Sequence, residues 1–578
     1  MARPNAEVEA LLREYADLIA ITGKGAFKQR AYERAARAIG GHPTDVATLD
    51  AKRLREIPGV GSSIADKVEE YLRTGRVAAV EERRAAVPPG VRALLDVPTL
   101  GPKKAMTLYR ELGVSSVDDL SAALRDDRLA ELKGFGPKAR ENIEHGIAVL
   151  RQSSGRIALD AALDVAEETV ARLAEVAGCR RCAYAGSVRR MKETIGDIDI
   201  LAAADDPEPV MAAFRALPLV DEVVLRGRTK TTVRTVDGLQ LDLRVLGEDS
   251  WGAGMIYFTG SKAHNIRLRE IALRKKLKLS EYGLFDARTG RKRAARGEEQ
   301  VYRRLGLPWI PPTLREDRGE VAAAQRDELP ELVTERDIRG DLHSHTDLTD
   351  GVAPLTEMVA EAARRGYHYF AVTDHAPELR MQRMTLEKAR AQREQLRELA
   401  GRHGRLKLLH GTELNIDPAG EVDWPAEVLA EFEIRVASVH SHFELDRAAQ
   451  TRRLVRACEN PHVNIIGHPT TRKFGRRTGI DVDLDAVFAA CARTGTALEI
   501  NSHPNRLDLN DEHILRARAH GVRFAIDSDA HAPAHLAHLR FGVAQAQRGW
   551  LSPDEVINTW TLTRLRRFLR KPGGGRGS

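Results

Sequence analysis

The sequence predicts a multidomain protein with an α-helical N-terminal part, an α+β middle part and a C-terminal α/β barrel. The helical part follows from amphipathic runs at 5–21 and 27–39, separated by glycine-containing turns. The middle part follows from strand-like alternation at 197–201 and 239–246. The barrel follows from short apolar strands that alternate with helices after residue 338. A chain of 578 residues is too long for one core and fits several compact units.

The overall composition and charge of the chain restrict the classes of protein to which it can belong. A net charge of +7 fits a polyanionic partner but is weak evidence alone. Four cysteines form no disulfide framework, which indicates a reducing compartment. No leader-like or membrane-spanning apolar run is visible, so we expect a soluble, cytoplasmic, nucleoid-associated protein without membrane contact. Sixteen of the 19 histidines follow residue 336, which indicates a metal site there.

Three related turns in the helical part resemble helix-hairpin-helix motifs, namely IPGVGSSIADKV at 57–68, VPTLGPKKAMTL at 97–108 and LKGFGPKARENI at 132–143. Their glycines allow a tight turn, so N–H groups at a helix start can hold a phosphate oxygen of DNA, independently of sequence. An ordinary helical bundle is the alternative. The middle copy has Thr99 in place of the first glycine. The predicted DNA-binding residues here are Gly59, Gly61, Lys67, Gly101, Lys103, Gly134, Gly136 and Lys138.

A carboxylate cluster is predicted in the middle part. Gly186-Ser187 follows a short strand and precedes a helix, with Arg189 and Arg190 close behind, so this turn can hold a triphosphate. In the strand that follows, Asp197 and Asp199 share one face because alternate strand residues point the same way. A second strand at 239–246 adds Asp242. Like charges this close need a cation between them, and three carboxylates suit two Mg²⁺ (or Mn²⁺) ions.

A basic helix is predicted at 261–278. It carries Arg267, Arg269, Arg274, Lys275, Lys276 and Lys278. Such a face either grips phosphates or is simply solvated, and we favour the grip, with Arg269 as a DNA-binding residue. Prolines near 308–312 close this half of the chain. The charged stretch that follows is predicted to be a linker with some helix.

The histidine-rich half places metal-ligand types after short strands, which are predicted at 369–373, 406–409, 463–466, 497–500 and 524–526. Nine side chains stand out: His343, His345, Asp350, His375, Glu413, His440, His468, Asp529 and His531. Imidazole with carboxylate suits Mn²⁺, Zn²⁺ or Fe²⁺, and nine ligands suit about three ions. Such a centre can hydrolyse phosphoesters. Four further histidines, His368, His442, His462 and His503, are predicted to be structural.

Two motifs of the first half resemble the family X DNA polymerases, the family of DNA polymerase beta. Residues 186–200 are similar to its nucleotidyltransferase signature, and YFTGSKAHN at 257–265 to its nucleotide-binding thumb motif. The resemblance implies a lyase-like helical domain at 1–90, fingers at 91–152, a palm at 153–246 and a thumb at 247–315. A linker at 316–335, the barrel at 336–570 and a disordered tail at 571–578 complete the predicted boundaries.

The same resemblance implies residue roles. Asp197 and Asp199 would bind both metals, and Asp242 the catalytic one. The implied dNTP-binding residues are Gly186, Ser187, Arg190, Gly196, Tyr257, Gly260 and Asn265. Arg244 matches an arginine that exchanges partners on closing, with Glu281 and Tyr282 as candidate partners. Lys262 and His264 depart from the acidic and aromatic residues of the animal enzyme.

Lys67 matches the position of the animal enzyme's Schiff-base lysine, which would attack a sugar aldehyde. Lys28 and Tyr32 lie nearby in the predicted fold, and Ser63 replaces a lysine that the family often has. Two hypotheses stay open: a lyase nucleophile, or a lysine that only binds the 5′-phosphate of a gap.

The nine metal-ligand side chains resemble the metal set of the PHP (polymerase and histidinol phosphatase) domain without substitution. The resemblance implies 3′→5′ exonuclease activity, with AP endonuclease and 3′-phosphatase activities as extensions. The implied partners are gapped or primer–template DNA with a 5′-phosphate, and dNTPs, for a monomeric repair enzyme. Two alternatives remain: a DNA-binding scaffold with a vestigial barrel, and a small-molecule phosphatase with a DNA anchor.

Overall fold

The structure is a computed structural model that describes residues 4–22, 26–40, 42, 44–87, 91–92, 94–97, 100–153, 155–378 and 384–571. Its first part is helical. Helices α4 and α6 follow Gly61 and Gly101 and end at Gly75 and Gly113, both of which adopt the left-handed conformation that glycine tolerates. The helices are α1 Pro4–Ile21, α2 Ala26–Gly40, α3 Ala51–Glu56, α4 Ser62–Thr74, α5 Ala78–Ala86, α6 Pro102–Leu112, α7 Val117–Arg125 and α8 Pro137–Ser153.

The helical part has its own apolar core and touches the C-terminal half. Tyr15 on α1 and Tyr32 on α2 pack edge to face with ring centroids 4.7 Å apart. Val352 and Ala532, from the C-terminal half, are buried in the same cluster. The N-terminal helices therefore pack against the barrel described below.

The middle part is a five-stranded sheet flanked by helices, with strand order β2-β4-β7-β6-β5. Strands β4 and β7 pair in parallel, and Asp199 lies opposite Asp242. Ile198, Ile200, Leu241 and Leu243 point into the core, as the alternation predicts. The elements are β1 Ile157–Ala158, α9 Leu159–Ala174, β2 Cys179–Tyr184, α10 Gly186–Arg189, β3 Thr194–Ile195, β4 Asp197–Ala204, α11 Glu208–Arg215, β5 Val220–Arg226, β6 Lys230–Thr235 and β7 Gln240–Leu246.

A smaller unit follows, comprising α12 Trp251–Thr259, α13 Lys262–Arg274, β8 Leu277–Ser280, β9 Gly283–Asp286, β10 Lys292–Ala294, α14 Glu298–Leu305 and α15 Glu320–Gln325. The basic helix is shorter than predicted, because α13 ends at Arg274 and Lys276 adopts a left-handed conformation. Lys278 therefore lies on strand β8, which pairs with β9. The prediction of one helix to residue 278 was wrong at that end.

The segment 316–335, predicted to be a linker with some helix, contains helix α15. Helix α15 buries Glu320, Val321 and Ala324. Glu320 Oε1 lies 2.6 Å from Nδ1 of His264 on α13, and Tyr302 lies 2.9 Å from the other ring nitrogen of that histidine. Because Glu320 is buried and hydrogen-bonded, it fixes this segment against α13.

The C-terminal half is a barrel of seven parallel strands in sequential order. A parallel bridge between Ser344 and Ala530, just after the first and last strands, joins its two edges. The strands are β11 Gly340–Asp341, β12 Tyr369–Val372, β13 Lys407–Asn415, β14 Ile434–Ser438, β15 Ile465–Ile466, β16 Ala497–Asn501 and β17 Phe524–Asp527. The helices are α16 Leu355–Arg364, α17 Leu386–Arg402, α18 Ala426–Leu429, α19 Arg447–Glu459, α20 Leu484–Thr494, α21 Asp511–Ala519, α22 Leu539–Arg548 and α23 Leu562–Leu569.

The predicted disordered tail begins one residue too early. Lys571 is buried, and its ammonium donates hydrogen bonds to Cys458 O at 3.2 Å and to Thr496 Oγ1 at 2.5 Å. The remainder of the tail lies outside the described residues. Among the helices that the structure describes, none is both long and apolar enough to cross a bilayer.

Candidate active sites

A carboxylate site lies on the five-stranded sheet. The parallel pairing of β4 with β7 brings Asp197, Asp199 and Asp242 together, with oxygen atoms within 4.8 Å of one another. Asp242 accepts hydrogen bonds from Thr232 Oγ1 and from Gln240 Nε2, and Lys230 Nζ lies 3.6 Å from it. Such a cluster of acidic oxygens has the donor chemistry that Mg²⁺ and Mn²⁺ prefer.

The electrostatics of this site favour a bound cation. Burial, followed by repulsion from Asp197 and Asp242, raises the pKa of Asp199 to about 7. Gly186 closes over this carboxylate with φ of +60°, and a Cβ at that position would lie 2.3 Å from Asp199 Oδ2. The Gly-Ser turn therefore touches the carboxylate site, with Ser187 on the short helix α10 and Gly196 just before β4.

The two arginines after this turn are held by carboxylates. Arg189 makes a bidentate pair with Glu298, at 2.8 and 2.7 Å. Arg190 donates through Nε to Glu316 at 3.0 Å and through Nη1 to Thr259 O at 2.5 Å. Arg189 is thus a structural tie to α14, and Arg190 is held by Glu316 and by the backbone of Thr259.

The second site is at the carboxyl end of the barrel. Every one of the nine predicted ligands lies on a strand end or in the loop after it: His343, His345 and Asp350 after β11, His375 after β12, Glu413 on β13, His440 after β14, His468 after β15, and Asp529 and His531 after β17. This is the edge where an α/β barrel gathers functional side chains.

Glu413 lies at the centre of this site. Its carboxylate oxygens lie 2.9 Å from His375 Nδ1, 3.1 Å from His440 Nε2 and 3.2 Å from His468 Nε2. A second group is formed by His345, Asp350, His375 and His531, and a third by His343, His345 and Asp529. Burial raises the pKa of Glu413, but the surrounding histidines His440, His375 and His343 outweigh it and hold that pKa well below the usual range.

The donor set fits divalent metal ions. Three buried atoms, His345 Nδ1, Asp350 Oδ1 and Glu413 Oε1, have no hydrogen-bond partner among the described residues. Buried polar atoms normally have a partner, so these three atoms in one site fit a bound cation. Imidazole nitrogens mixed with carboxylates favour transition metals over Ca²⁺.

Sequence reasoning missed the groups that orient these ligands. Glu499, fully buried on β16, lies 2.6 Å from His343 Nδ1 and accepts from the backbone N–H of His468. Asn415 Oδ1 lies 2.7 Å from His440 Nδ1, and Asn501 donates to Asp529 at 3.0 Å. Such partners fix the ring orientation of ligating histidines. A glutamate inside the apolar run ALEIN was the available signal.

Comparisons with known proteins match this architecture piece by piece. Residues 254–316 match the DNA polymerase beta thumb, and residues 341–503 match the PHP domain. Residues 3–77 match a helix-hairpin-helix domain, and residues 91–143 match a SAM-like helix-hairpin-helix tandem.

Relatives match over part or all of the chain. The DNA polymerase/3′-5′ exonuclease PolX of Bacillus subtilis is 34% identical over 568 residues, which cover 98% of this chain and 99% of that protein. The chain belongs to the PolX family of bacterial family X DNA polymerases. DNA polymerase lambda of Arabidopsis thaliana is 27% identical over 49% of this PolX chain and 56% of its own length. A probable phosphatase of Syntrophotalea carbinolica is 30% identical over 39% of this chain and 93% of its own length.

Three predicted nucleotide contacts of this PolX chain, Tyr257, Gly260 and Asn265, lie on or next to α13. Asn265 donates through Nδ2 to Tyr257 O at 2.8 Å, while its Oδ1 has no partner among the described residues. Arg269 lies over the Tyr257 ring at 5.3 Å, and a cis peptide links Gly260 to Ser261. Arg244 stacks on Phe258 at 5.5 Å, and the exchange of partners with Glu281 and Tyr282 stays a prediction.

The hairpin glycines of this PolX chain adopt conformations that suit tight turns. Gly59 and Gly134 have φ of +82° and +93°, and Gly61, Gly101 and Gly136 directly precede helices. Lys67 donates to Ser63 O at 3.0 Å and lies 6.0 Å from the Tyr32 ring centroid. Lys103 is exposed. Thr99 and the side chain of Lys138 lie outside the described residues.

Proposed function

We propose that this chain is a DNA-directed DNA polymerase that fills short gaps during repair, and that its barrel removes nucleotides from 3′ ends. The polymerase proposal rests on three aspartates on adjacent parallel strands beneath a glycine turn. The nuclease proposal rests on nine nitrogen and oxygen ligands that meet at one barrel mouth. Both agree with the activities in the name of the Bacillus relative.

At the sheet, Asp197 and Asp199 would hold two Mg²⁺ or Mn²⁺ ions, with Asp242 on the catalytic one. Divalent ions there supply charge that stabilises a pentavalent phosphorus centre and its leaving group. The pKa of Asp199 is about 7 without a metal ion, and a bound cation would lower it and favour the ionised carboxylate. Ser187, Arg190 and the backbone of the Gly186 turn would hold the dNTP triphosphate, and Tyr257 and Asn265 would contact its sugar and base.

At the barrel, the nine ligands would hold about three ions of Mn²⁺, Zn²⁺ or Fe²⁺, which supply Lewis-acid charge for phosphoester hydrolysis. Glu499 and Asn415 keep His343 and His440 aimed inward through hydrogen bonds to the opposite ring nitrogen. The probable phosphatases among the relatives resemble this barrel, which favours phosphomonoester cleavage at 3′ ends as a second activity of the same centre.

The remaining assignments follow from this proposal. The partners would be gapped DNA with a 5′-phosphate and dNTPs, bound by a monomer. The domain boundaries would be 1–90, 91–152, 153–246, 247–315 and 336–570, with segment 316–335 packed on the thumb unit.

The test is one DNA with a single-nucleotide gap, incubated with Mg²⁺ or Mn²⁺. With dNTPs we expect the 3′ end to extend, and without dNTPs we expect it to shorten, fastest in Mn²⁺ because of the nitrogen ligands. Chelation should stop both reactions. A chain that binds this DNA but neither extends nor shortens it would support the scaffold alternative.

A further inference from the structure

A cluster of cationic side chains borders the barrel site, and the two carboxylates nearest to it, Asp508 and Asp529, are engaged by other groups. Lys473 and Arg477 are bridged to each other in a tight hairpin that follows His468, and Arg506 lies in the loop after β16. The N–H of Phe474 donates to Asn505 O at 2.8 Å, which fastens the hairpin to that loop. We name Lys473, Arg477 and Arg506 the cation cluster.

Each member lacks an ordinary ion pair among the described residues. Arg506 Nη1 is buried without a hydrogen-bond partner, and its Nε is 4.0 Å from Asp529. Arg477 donates to Thr471 O at 2.6 Å and stacks on Phe443 at 3.9 Å. Asp529 also acts on the Lys473 ammonium, but the nearby Arg506 and Arg477 outweigh that carboxylate. Partly buried cations without a close anionic partner are unfavourable, so this arrangement favours an external anion.

The three cationic side chains lie close enough to repel one another. Arg506, burial and Arg477, in that order, lower the pKa of Lys473 to about 7. The neighbouring Asp508 already accepts hydrogen bonds from Thr470, at 3.0 and 2.8 Å. Asp529 is a proposed metal ligand, and a bound metal ion would neutralise the negative charge of its carboxylate. The cation cluster would then face metal ions that are also positively charged. An anion between the cluster and the metal ions would stabilise this arrangement.

We infer that the cation cluster binds a backbone phosphate of the DNA strand, next to the phosphodiester that the barrel hydrolyses. This inference rests on the proposed nuclease function. Guanidinium and ammonium groups are the usual ligands of phosphate oxygens, and the partner-free Arg506 Nη1 supplies a donor. The cluster would make the site prefer a polynucleotide to an isolated phosphoester.

The experiment compares two substrates for Lys473→Gln in the full chain with Mn²⁺. One is a single-stranded oligonucleotide, and the other is bis(4-nitrophenyl) phosphate, which has a diester but no neighbouring phosphate. We expect KM for the oligonucleotide to rise about tenfold or more, as for a lost hydrogen bond to a charged group, with the small diester cleaved normally. Lys407→Gln, an exposed lysine at the opposite end of strand β13, is the control and should match wild type.

A second arm locates the phosphate. An uncharged methylphosphonate is placed at each of the first linkages from the 3′ end in turn. At one linkage beside the scissile one, the methylphosphonate should reduce cleavage by wild type as much as Lys473→Gln reduces cleavage of normal DNA. The same methylphosphonate should not reduce cleavage by Lys473→Gln any further. Unchanged oligonucleotide cleavage by Lys473→Gln, or an equal loss on both substrates, would overturn the inference. Wild type that cleaves neither substrate would instead overturn the proposed nuclease function.

Discussion

Asp199 is a carboxylate whose pKa is raised to near neutral pH by burial and by two neighbouring aspartates. Its pKa of about 7 lies above its unfolded value, so the folded chain binds a proton there that the unfolded chain has lost. The stability that this proton contributes is full below about pH 4 and is lost as pH rises through about 7. A bound divalent ion reverses the repulsion. The site therefore couples proton release to metal binding.

This coupling is testable without activity. Asp199→Asn should raise the Tm of the metal-free protein at pH 8, through a gain on the order of a few kcal/mol, and should change it little at pH 4. Calorimetric Mg²⁺ titration of wild type at pH 6.5, in buffers of different ionisation enthalpy, should show more proton release than the same titration of the variant. Equal Tm gains at both pH values would show that repulsion at Asp199 is absent.

Gly186 is the second residue whose identity the geometry requires. A Cβ there would meet Asp199 Oδ2 at 2.3 Å, at a φ of +60°. Gly186→Ala should lower extension by about a hundredfold, because it displaces a metal ligand and the triphosphate turn together. Shortening of 3′ ends should persist. Gly238→Ala, also at positive φ but with open space around its Cβ, controls for backbone strain; equal losses in the two variants would refute the steric argument.

At this scale the sequence predicted which acidic and histidine side chains lie together, but it did not predict their hydrogen-bond partners. Asp197, Asp199, Asp242 and the nine barrel ligands meet as predicted, because strand alternation and strand ends decide where they point. The link from Arg190 to Glu316 could not be predicted, since it joins residues 126 positions apart. The role of Glu499 depends likewise on a distant histidine.

Among the secondary-structure elements, the N-terminal turn of helix α4 is the one expected to bind the 5′-phosphate of a gap. Lys67→Ala should weaken binding to a gap with a 5′-phosphate about tenfold and binding to a 5′-hydroxyl gap much less, because only the first offers a dianion. Lys52→Ala, on the exposed face of α3, is the control. Equal weakening on both gaps would reduce Lys67 to a general electrostatic contact.

Borohydride trapping on an abasic 5′-phosphate substrate distinguishes the lyase hypothesis for Lys67 from simple phosphate binding. An adduct that Lys67→Ala abolishes would make Lys67 a Schiff-base nucleophile, and an adduct that survives the change would exclude it.

Element boundaries were predicted where one local rule decided them. Helices α4 and α6 begin after their glycines as the repeats predict. Strand β14 was not among the predicted strands because Arg435 interrupts its apolar pattern. The structure buries Arg435 by directing its guanidinium to the carbonyls of Leu429, Phe432 and His462. The inward face of α15 likewise depends on His264, more than fifty residues earlier.

At the scale of the whole molecule, the barrel is tied to the nucleotide turn. Arg548, buried at the end of α22, donates to Arg190 O at 2.7 Å and to Glu316 at 2.9 Å, and also pairs with Asp511. Glu316 in turn holds Arg190. The barrel therefore positions the arginine that is proposed to bind the dNTP.

Arg548→Lys should disturb this link, since an ammonium cannot bond all three groups as the guanidinium does. We expect KM for dNTP to rise about tenfold with kcat nearly unchanged, and 3′ shortening to stay near wild type. Arg540→Ala, on the same helix but in an exposed 3.6 Å pair with Glu167, is the control. An unchanged KM at an unchanged Tm would show that the two halves do not communicate through Arg548.

The central claim is that two independent metal sites divide extension and degradation between the sheet and the barrel. The direct measurement is both reactions on the same gapped DNA for Asp242→Asn and His343→Ala, beside the surface controls Asp221→Asn and His520→Ala. Asp242→Asn should lose extension by at least about a hundredfold and keep degradation, because one missing ligand removes several kcal/mol of transition-state stabilisation. His343→Ala should show the reverse. Degradation that persists in His343→Ala, or loss of both activities in either folded variant, would contradict the account.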